Sequence, residues 1–109
     1  MPHFMIQASY NADTWRKLVQ NPEDRRGAIG ALVEKAGGRL TDLWFTFGDH
    51  DIVFIFEAPD SLAAGAVSVA GPAAGHISSI RTTQLLTADE SMELMRRAAD
   101  LGPARPPAG

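Results

Sequence analysis

The sequence predicts one α+β domain with the element order strand, helix, strand, strand, helix, strand, followed by one more helix. Two observations predict this class. Some segments alternate apolar and polar residues with a period of two, or are apolar throughout, as in strands. Between them lie segments with helical spacing that open on helix-start signals and close on glycine. A chain of 109 residues is the size of a single domain.

The composition excludes several classes of function. Hydrophobic residues make up 45% of the chain and charged residues 21%, with no run of about 18 apolar residues, so we expect a soluble protein without a membrane partner. The first ten residues lack an export-signal pattern, so we expect a cytoplasmic protein. The net charge of -3, without a basic face, argues against nucleic acid as a partner. The absence of cysteine excludes disulfides, thiolate metal sites and a cysteine nucleophile.

The first half of the chain predicts one strand and two helices. Residues 3–10 alternate with period two and form the first strand. Asn11 and Asp13 supply acceptors for a short helix over residues 14–20. Asn21-Pro22, with two acids after it, predicts that a fresh helix begins there and ends near Ala36, before Gly37-Gly38.

The second half predicts a hairpin, a helix and a further strand. Bulky residues over 39–47 form the second strand, and Gly48-Asp49-His50 turns the chain. Residues 52–56 are apolar at both odd and even positions, which predicts a strand buried on both sides. A helix of small residues follows over 62–70, closed by Gly71-Pro72, and a β-branched segment over 76–85 predicts the fourth strand.

A last helix and a tail complete the chain. Thr87 and Glu90 have the spacing of a capping box, so the helix should run over about 88–100 with Met92, Met95 and Ala99 on its inner side. We therefore predict a domain over residues 1–100. Residues 101–109, rich in proline and glycine, should form a disordered tail.

This order of elements is that of the ferredoxin-like fold, βαββαβ, with a four-stranded antiparallel sheet in spatial order 4-1-3-2 and the helices on one face. The opposite face is then bare, and the third strand, with Met5 beside it, makes that face apolar. Exposed apolar patches of this kind are rare on monomers, so we expect a homo-oligomer, most simply a dimer, through the open sheet face. Alternatively, the last helix folds over that face.

The same reasoning predicts where the histidines lie. If the first and third strands run parallel at the centre, His3 and His50 are neighbours at one edge and His76 lies at the opposite edge. No three-histidine metal site is then possible within one subunit. His3, His50 and a carboxylate from Asp49 or Asp51 remain metal-ligand candidates, and no cofactor is identified.

The turn at Asp49, His50 and Asp51 has two interpretations. Aspartate after glycine is ordinary turn chemistry, in which the carboxylate binds nearby backbone amides. Alternatively, His50 carries a proton or binds a metal, oriented by a neighbouring carboxylate. On the second interpretation the three turn residues and Trp44 are the candidate ligand-binding residues, and His50 is the candidate general base.

Three further groups also have alternative interpretations. Arg25 and Arg26 can clamp an anionic ligand or lay their aliphatic stems on the core edge. Arg81 can pair with Glu57 across the sheet. The aromatic residues of the second and third strands can line a pocket, although such spacing more often marks core or interface. Neither a nucleophile-elbow serine nor a phosphate-binding glycine loop is present. The aromatic residues are Trp44, Phe45, Phe47, Phe54 and Phe56.

Four segments together resemble the GYD domain proteins: MPHFMIQASY, NPEDRRGAI, GGRLTDLWFTFGDHDIVFIFEAPD and IRTTQLLTADE. The resemblance covers about residues 1–98 and implies a ferredoxin-like, dimeric α/β-barrel type of fold, without implying a general activity. Members of that family usually carry an aromatic residue, most often tyrosine, where this chain has His50. FGDHDIVFIFEAPD alone is similar to the interface hairpin of the amino-acid-sensing domain of Lrp/AsnC regulators, without their DNA-binding helices.

Two functional hypotheses follow. The first is a non-enzymatic, homo-oligomeric module that binds a small molecule or serves in assembly. The second is a cofactor-independent enzyme of the dimeric α/β-barrel type that uses His50 as general base on a small hydrophobic or carbonyl substrate. The two differ in whether ligand binding or turnover depends on His50.

Overall fold

The computed structural model describes residues 1–108 and contains one four-stranded sheet. The strands lie in the order β2-β3-β1-β4, and every neighbouring pair is antiparallel. The predicted α+β class and strand order are therefore confirmed. The strands are β1 (His3–Tyr10), β2 (Arg39–Phe45), β3 (Ile52–Glu57) and β4 (Ile77–Leu85).

Four helices accompany the sheet, and side chains cap three of them. Asn11 accepts the Thr14 N–H, Asp60 accepts the Ala63 N–H, and the predicted Thr87–Glu90 capping box is present. The helices are α1 (Ala12–Gln20), α2 (Arg26–Lys35), α3 (Ser61–Ala73) and α4 (Ala88–Leu101).

Two helix boundaries differ most from the sequence prediction; in addition, α1 begins at Ala12 instead of residue 14, and β2 ends at Phe45 instead of residue 47. α2 begins at Arg26 because Asn21 instead closes α1, donating its backbone N–H to Lys17 O at 3.0 Å. α3 continues through Pro72 to its last turn, and the chain leaves it at Gly75, whose φ of 84° glycine tolerates best. The proline removes one donor from the helix without ending it.

The predicted parallel arrangement of the first and third strands is wrong. β1 and β3 are antiparallel, with His3 opposite Glu57 and Ala8 opposite Ile52. A right-handed crossover makes β1 and β2 parallel, and the tight hairpin then reverses β3 relative to both. His3 and His50 consequently lie at opposite ends of the sheet. His76, next to the end of β1, lies at the same end as His50.

The core lies between the sheet and the helices. Every second residue of β1 and β3 is buried on this side, and Val33, Ala64 and Val67 pack onto them from the helices. α2 lies along β2, and α3 lies along β4. The two helices thus stand over opposite halves of the sheet. The buried residues are Phe4, Ile6, Ala8, Tyr10, Val33, Ile52, Phe54, Phe56, Ala58, Ala64 and Val67.

The other face of the sheet has no cover in the single chain. Met5, Val53 and Ile55 are half-buried there, and the Trp44 side chain is 66% exposed. The third strand is therefore buried on one side only, and not on both as its composition predicts. We call this surface the open face. It comprises the outward residues of all four strands.

α4 also has an uncovered apolar surface. None of its residues is buried, and Met92 and Met95, predicted on its inner side, are 47% and 62% exposed. The radius of gyration is 17.6 Å, against about 13 Å for a compact chain of this length. In the single chain α4 extends from the body and leaves the open face bare. Its apolar half comprises Ala88, Met92, Leu94, Met95, Ala98, Ala99 and Leu101.

Of the predicted tail over 101–109, Leu101 is the last residue of α4, residues 102–108 are exposed and form neither helix nor strand, and residue 109 lies outside the described residues. Over residues 1–108, none of the helices combines the length and the apolarity that crossing a membrane requires.

Candidate functional site

A polar pocket of about 360 Å³ lies on the open face beside the β2–β3 turn. Antiparallel pairing puts Trp44, Val53, Gln7 and Arg81 in one row across the four strands. The turn closes one side of that row. The pocket is lined by Gln7, Thr46, Gly48, Asp49, His50, Val53 and Arg81.

Backbone hydrogen bonds hold the turn against β1. The Thr46 N–H donates to Asp51 O at 2.8 Å, and the Asp51 N–H donates to Ala8 O at 2.9 Å. The Thr46 hydroxyl also donates to His50 O. The turn is therefore an ordered wall of the pocket.

The carboxylate of Asp51 has a structural role. Its Oδ2 accepts the backbone N–H of Tyr10 at 3.0 Å and the Nε1–H of Trp15 at 2.9 Å. These bonds join the turn to the end of β1 and to α1. Asp51 therefore follows neither interpretation of the turn: its carboxylate binds two donors that are distant in the sequence instead of nearby backbone amides, and it is absent from the lining of the polar pocket.

We expect Asp51→Ala to lower the free energy of unfolding by about 1–3 kcal/mol, because two partly buried N–H donors lose their acceptor. The matched control is Asp49→Ala, in the same turn, which removes an exposed carboxylate and should change stability by less than about 0.5 kcal/mol. Urea titration of both variants, followed by tryptophan fluorescence, measures the difference. Equal effects of the two substitutions would contradict the role given to Asp51.

His50 is half-buried at the pocket wall, and within residues 1–108 its imidazole has no hydrogen-bond or ion-pair partner. The enzyme hypothesis requires a carboxylate to orient that ring. Asp51 is bound to Tyr10 and Trp15 instead, and Asp49 forms no bond to it. The general-base role of His50 therefore stays a prediction without an orienting group.

His3 belongs to a different cluster at the far end of the sheet. Its Nε2 lies 3.3 Å from Glu57 Oε1, and the other carboxylate oxygen pairs with Arg39 Nη2 at 2.9 Å. Because Glu57 is paired there and Arg81 faces Gln7, the predicted Arg81–Glu57 pair is wrong. The two histidines proposed as joint metal ligands are far apart. Among the described residues, no cluster of three or more His, Cys, Asp or Glu could hold a metal ion.

A second cavity, of about 230 Å³, lies on the opposite side of the sheet, beneath α2 and α3. Aliphatic and aromatic side chains form most of its wall. Three polar residues also line it: Arg25, Tyr10 and His76. We call this space the helix-side cavity.

The structure distinguishes the two neighbouring arginines. Arg26 is exposed and forms a fork with Asp24, with Nη2–Oδ2 at 2.6 Å, which lowers the pKa of Asp24 to about 2. The Arg25 side chain is only 21% exposed and pairs with Glu23 at 3.1 Å. Burial lowers the pKa of Arg25, but hydrogen bonding and charge at Tyr10 and Glu23 outweigh it and raise that pKa overall.

The sequence did not predict the helix-side cavity. Its signals were present: a run of small residues in α3 and an arginine at the start of the α2 stripe. Small residues allow a helix to lie close to a sheet, and α3 does approach β4. The cavity exists because α2 and α3 are separated, and the residue pattern does not predict the distance between two helices.

The fold defines the chain as a ferredoxin-like α+β protein with one covered and one open sheet face. The chain belongs to the GYD domain family, whose family model matches residues 4–95. This confirms the resemblance seen in the sequence. No curated protein matches the chain.

Two solved structures share the fold at low sequence identity. TTHA0845 from Thermus thermophilus is 13% identical with a TM-score of 0.52, over 81% of this chain and 96% of that one. MtbAldR is 17% identical with a TM-score of 0.51, over 79% of this chain. The match covers 52% of MtbAldR, so this chain corresponds to about half of that protein. Both similarities concern the fold alone.

Proposed function

We propose that this GYD-family chain is a self-associating module that forms a homodimer through the open faces of two sheets. One observation carries the proposal: the single chain has two uncovered apolar surfaces, the open face and the apolar half of α4. Trp44, exposed on the edge strand β2, is of a residue type that commonly anchors interfaces. A second copy brings a matching pair of surfaces.

The size of these surfaces favours an interface that includes both of them. Four strands, each about 25 Å long and about 4.8 Å apart, offer roughly 500 Å² of projected area. A 14-residue helix adds roughly 200 Å². A stable interface needs about 800 Å² from each partner. The sheet alone falls well short of this figure, whereas the two surfaces together, at roughly 700 Å², come close to it, so we propose that α4 of each subunit lies on its partner.

Charges on the open face suit a two-fold arrangement. The face carries the cations Arg39 and Arg81 and the anions Glu57 and Asp49 around an apolar centre. Because Arg39 and Glu57 already pair within one subunit, Arg81 is the cation that can approach Asp49 of the other subunit at the rim of a symmetric dimer. The polar pocket then lies between two subunits, where Asp49, His50 and the nearby Trp44 can contact a small molecule.

Val53→Asp tests the dimer, because it puts a charge at the apolar centre of the open face. We expect sedimentation equilibrium to give a dimer for the wild type at micromolar concentration and a monomer for the variant, with affinity lowered at least a hundredfold. Val69→Asp is the matched control: it makes the same change on α3, where Val69 is 65% exposed on the other side of the molecule. The control should remain dimeric. A monomeric wild type would overturn the proposal.

Met95→Asp tests the contribution of α4 separately. If the helix covers the partner, this change should weaken association about tenfold or more, since it places a carboxylate in the apolar half of α4. Circular dichroism of the variant shows whether the helix itself persists. Unchanged association would mean that the sheet faces pair without α4.

Ligand binding at the polar pocket is tested with His50→Ala. A thermal-shift screen of small metabolites against wild type and variant identifies compounds that stabilise the protein. A ligand that binds both forms supports a binding module in which His50 is a turn residue. Turnover lost in the folded variant would support the general-base hypothesis instead.

A further inference from the structure

We infer that the helix-side cavity binds a small carboxylate with an apolar body, with Arg25 as the residue that receives the carboxylate. The cavity lies under α2 and α3, on the opposite side of the sheet from the open face. It is therefore independent of the proposed dimer interface and of the polar pocket.

The cavity follows from how the two helices pack. α2 lies along β2 and α3 along β4, so neither covers the central strands completely. The residues that face the gap from the helices are partly small, among them Ala28, Ala70, Gly71 and Ala74. Larger side chains at these positions would fill the gap. An unfilled apolar space forfeits packing contacts, which an apolar ligand restores.

The wall of the cavity selects an apolar ligand body. Side chains of β1, α2, β3, α3 and β4 contribute to it, among them Ile6, Leu32, Phe54, Val67 and Ile80. The volume of about 230 Å³ lies between the ~150 Å³ that holds a benzene and the ~300 Å³ of the smallest drug-sized pockets. A chain of about eight carbons or a single substituted ring has the corresponding size.

The polar residues of the cavity select an anion. No aspartate or glutamate of the described chain lines it, whereas Arg25, Tyr10 and His76 do. Arg25 Nε is buried, and over residues 1–108 it is the one buried side-chain nitrogen or oxygen without a hydrogen-bond partner. A guanidinium binds a carboxylate through two parallel N–H donors, so an anionic ligand suits Arg25 better than a neutral or cationic ligand does.

Glu23 does not occupy all the hydrogen-bond donors of Arg25. It approaches only Arg25 Nη1, at 3.1 Å, and its own side chain is 54% exposed. Because the Glu23 carboxylate is more than half exposed, it can turn into water when a ligand carboxylate takes its place at Arg25. The Tyr10 phenol lines the same cavity and can donate a second hydrogen bond to the anion.

Octanoate is the probe, and isothermal titration calorimetry of the full chain measures its affinity. We expect binding to the wild type and a loss of about tenfold to a hundredfold in Arg25→Gln, the cost of a charge-assisted hydrogen bond. Arg26→Gln is the matched control, because the neighbouring arginine lies outside the cavity and pairs with Asp24 in solvent. It should bind octanoate as the wild type does. Circular dichroism checks that both variants fold.

Further binding experiments test whether the ligand lies in the helix-side cavity. Ala70→Leu fills the cavity without changing the charge of Arg25 and should abolish octanoate binding. In the second experiment, 1-octanol, which lacks the carboxylate, should bind the wild type at least tenfold more weakly than octanoate does. Val53→Asp, on the open face, should retain octanoate binding. The inference is overturned if octanoate does not bind the wild type, if both arginine variants bind equally, or if octanol and octanoate bind alike.

Discussion

Phe56→Ala is expected to lower the free energy of unfolding by about 3–5 kcal/mol, a large fraction of the roughly 5–15 kcal/mol that stabilises an ordinary domain. Phe56 is fully buried on the helix side of the sheet. Its ring stacks on Phe4 at a centroid distance of 5.7 Å and tilts against Phe54 at 5.8 Å. Truncation removes both aromatic contacts and leaves a cavity that a sheet backbone cannot close.

Phe47→Ala is the matched control for this prediction. Phe47 follows β2 and is fully exposed, so the same truncation should change stability by less than about 0.5 kcal/mol. Urea denaturation at one fixed protein concentration compares the two, since association with a partner makes apparent stability depend on concentration. Comparable losses in the two variants would show that the assigned core is wrong.

Gly38→Ala is the second substitution with a large expected effect, about 3 kcal/mol of lost stability. A Cβ atom at Gly38 would lie 2.0 Å from the backbone O of Glu57 and 3.2 Å from Val33 Cγ1. A backbone oxygen cannot turn aside as a side chain can, so the start of β2 must move away from the end of β3. The neighbouring Arg39–Glu57 pair would be strained as well.

Gly65→Ala is the control of opposite sign. Gly65 lies within α3, and a Cβ atom there meets nothing within 4 Å. Alanine should stabilise the helix by about 0.5–1 kcal/mol, because it loses less conformational entropy than glycine. Thermal unfolding of the two alanine variants should therefore shift in opposite directions. A stabilised Gly38→Ala would contradict the close approach of β2 and β3.

The candidate site was only partly predictable from the sequence. The sequence placed Asp51 in a turn, where its carboxylate would bind nearby backbone amides, but in the structure it binds the distant donors Tyr10 N–H and Trp15 Nε1–H. The pairing of His3 with Glu57 was not predicted, because the predicted strand direction is wrong. Arg25 illustrates a different limit: its sequence position allowed either an anion clamp or a packed stem. Its burial shows a packed stem, and its place in the wall of the helix-side cavity leaves the anion clamp as the proposal that octanoate binding tests.

The class of the fold, the strand order, the Thr87–Glu90 capping box and the family were all predictable from the pattern of residues. Periodicity and capping are set by residues within a few positions of each other, so they can be read directly. The direction of β3 relative to β1, the exposure of α4 and the helix-side cavity became known only from the three-dimensional structure. These features depend on the distances between packed helices and strands and on their relative directions. Contacts between residues that are distant in the sequence set both.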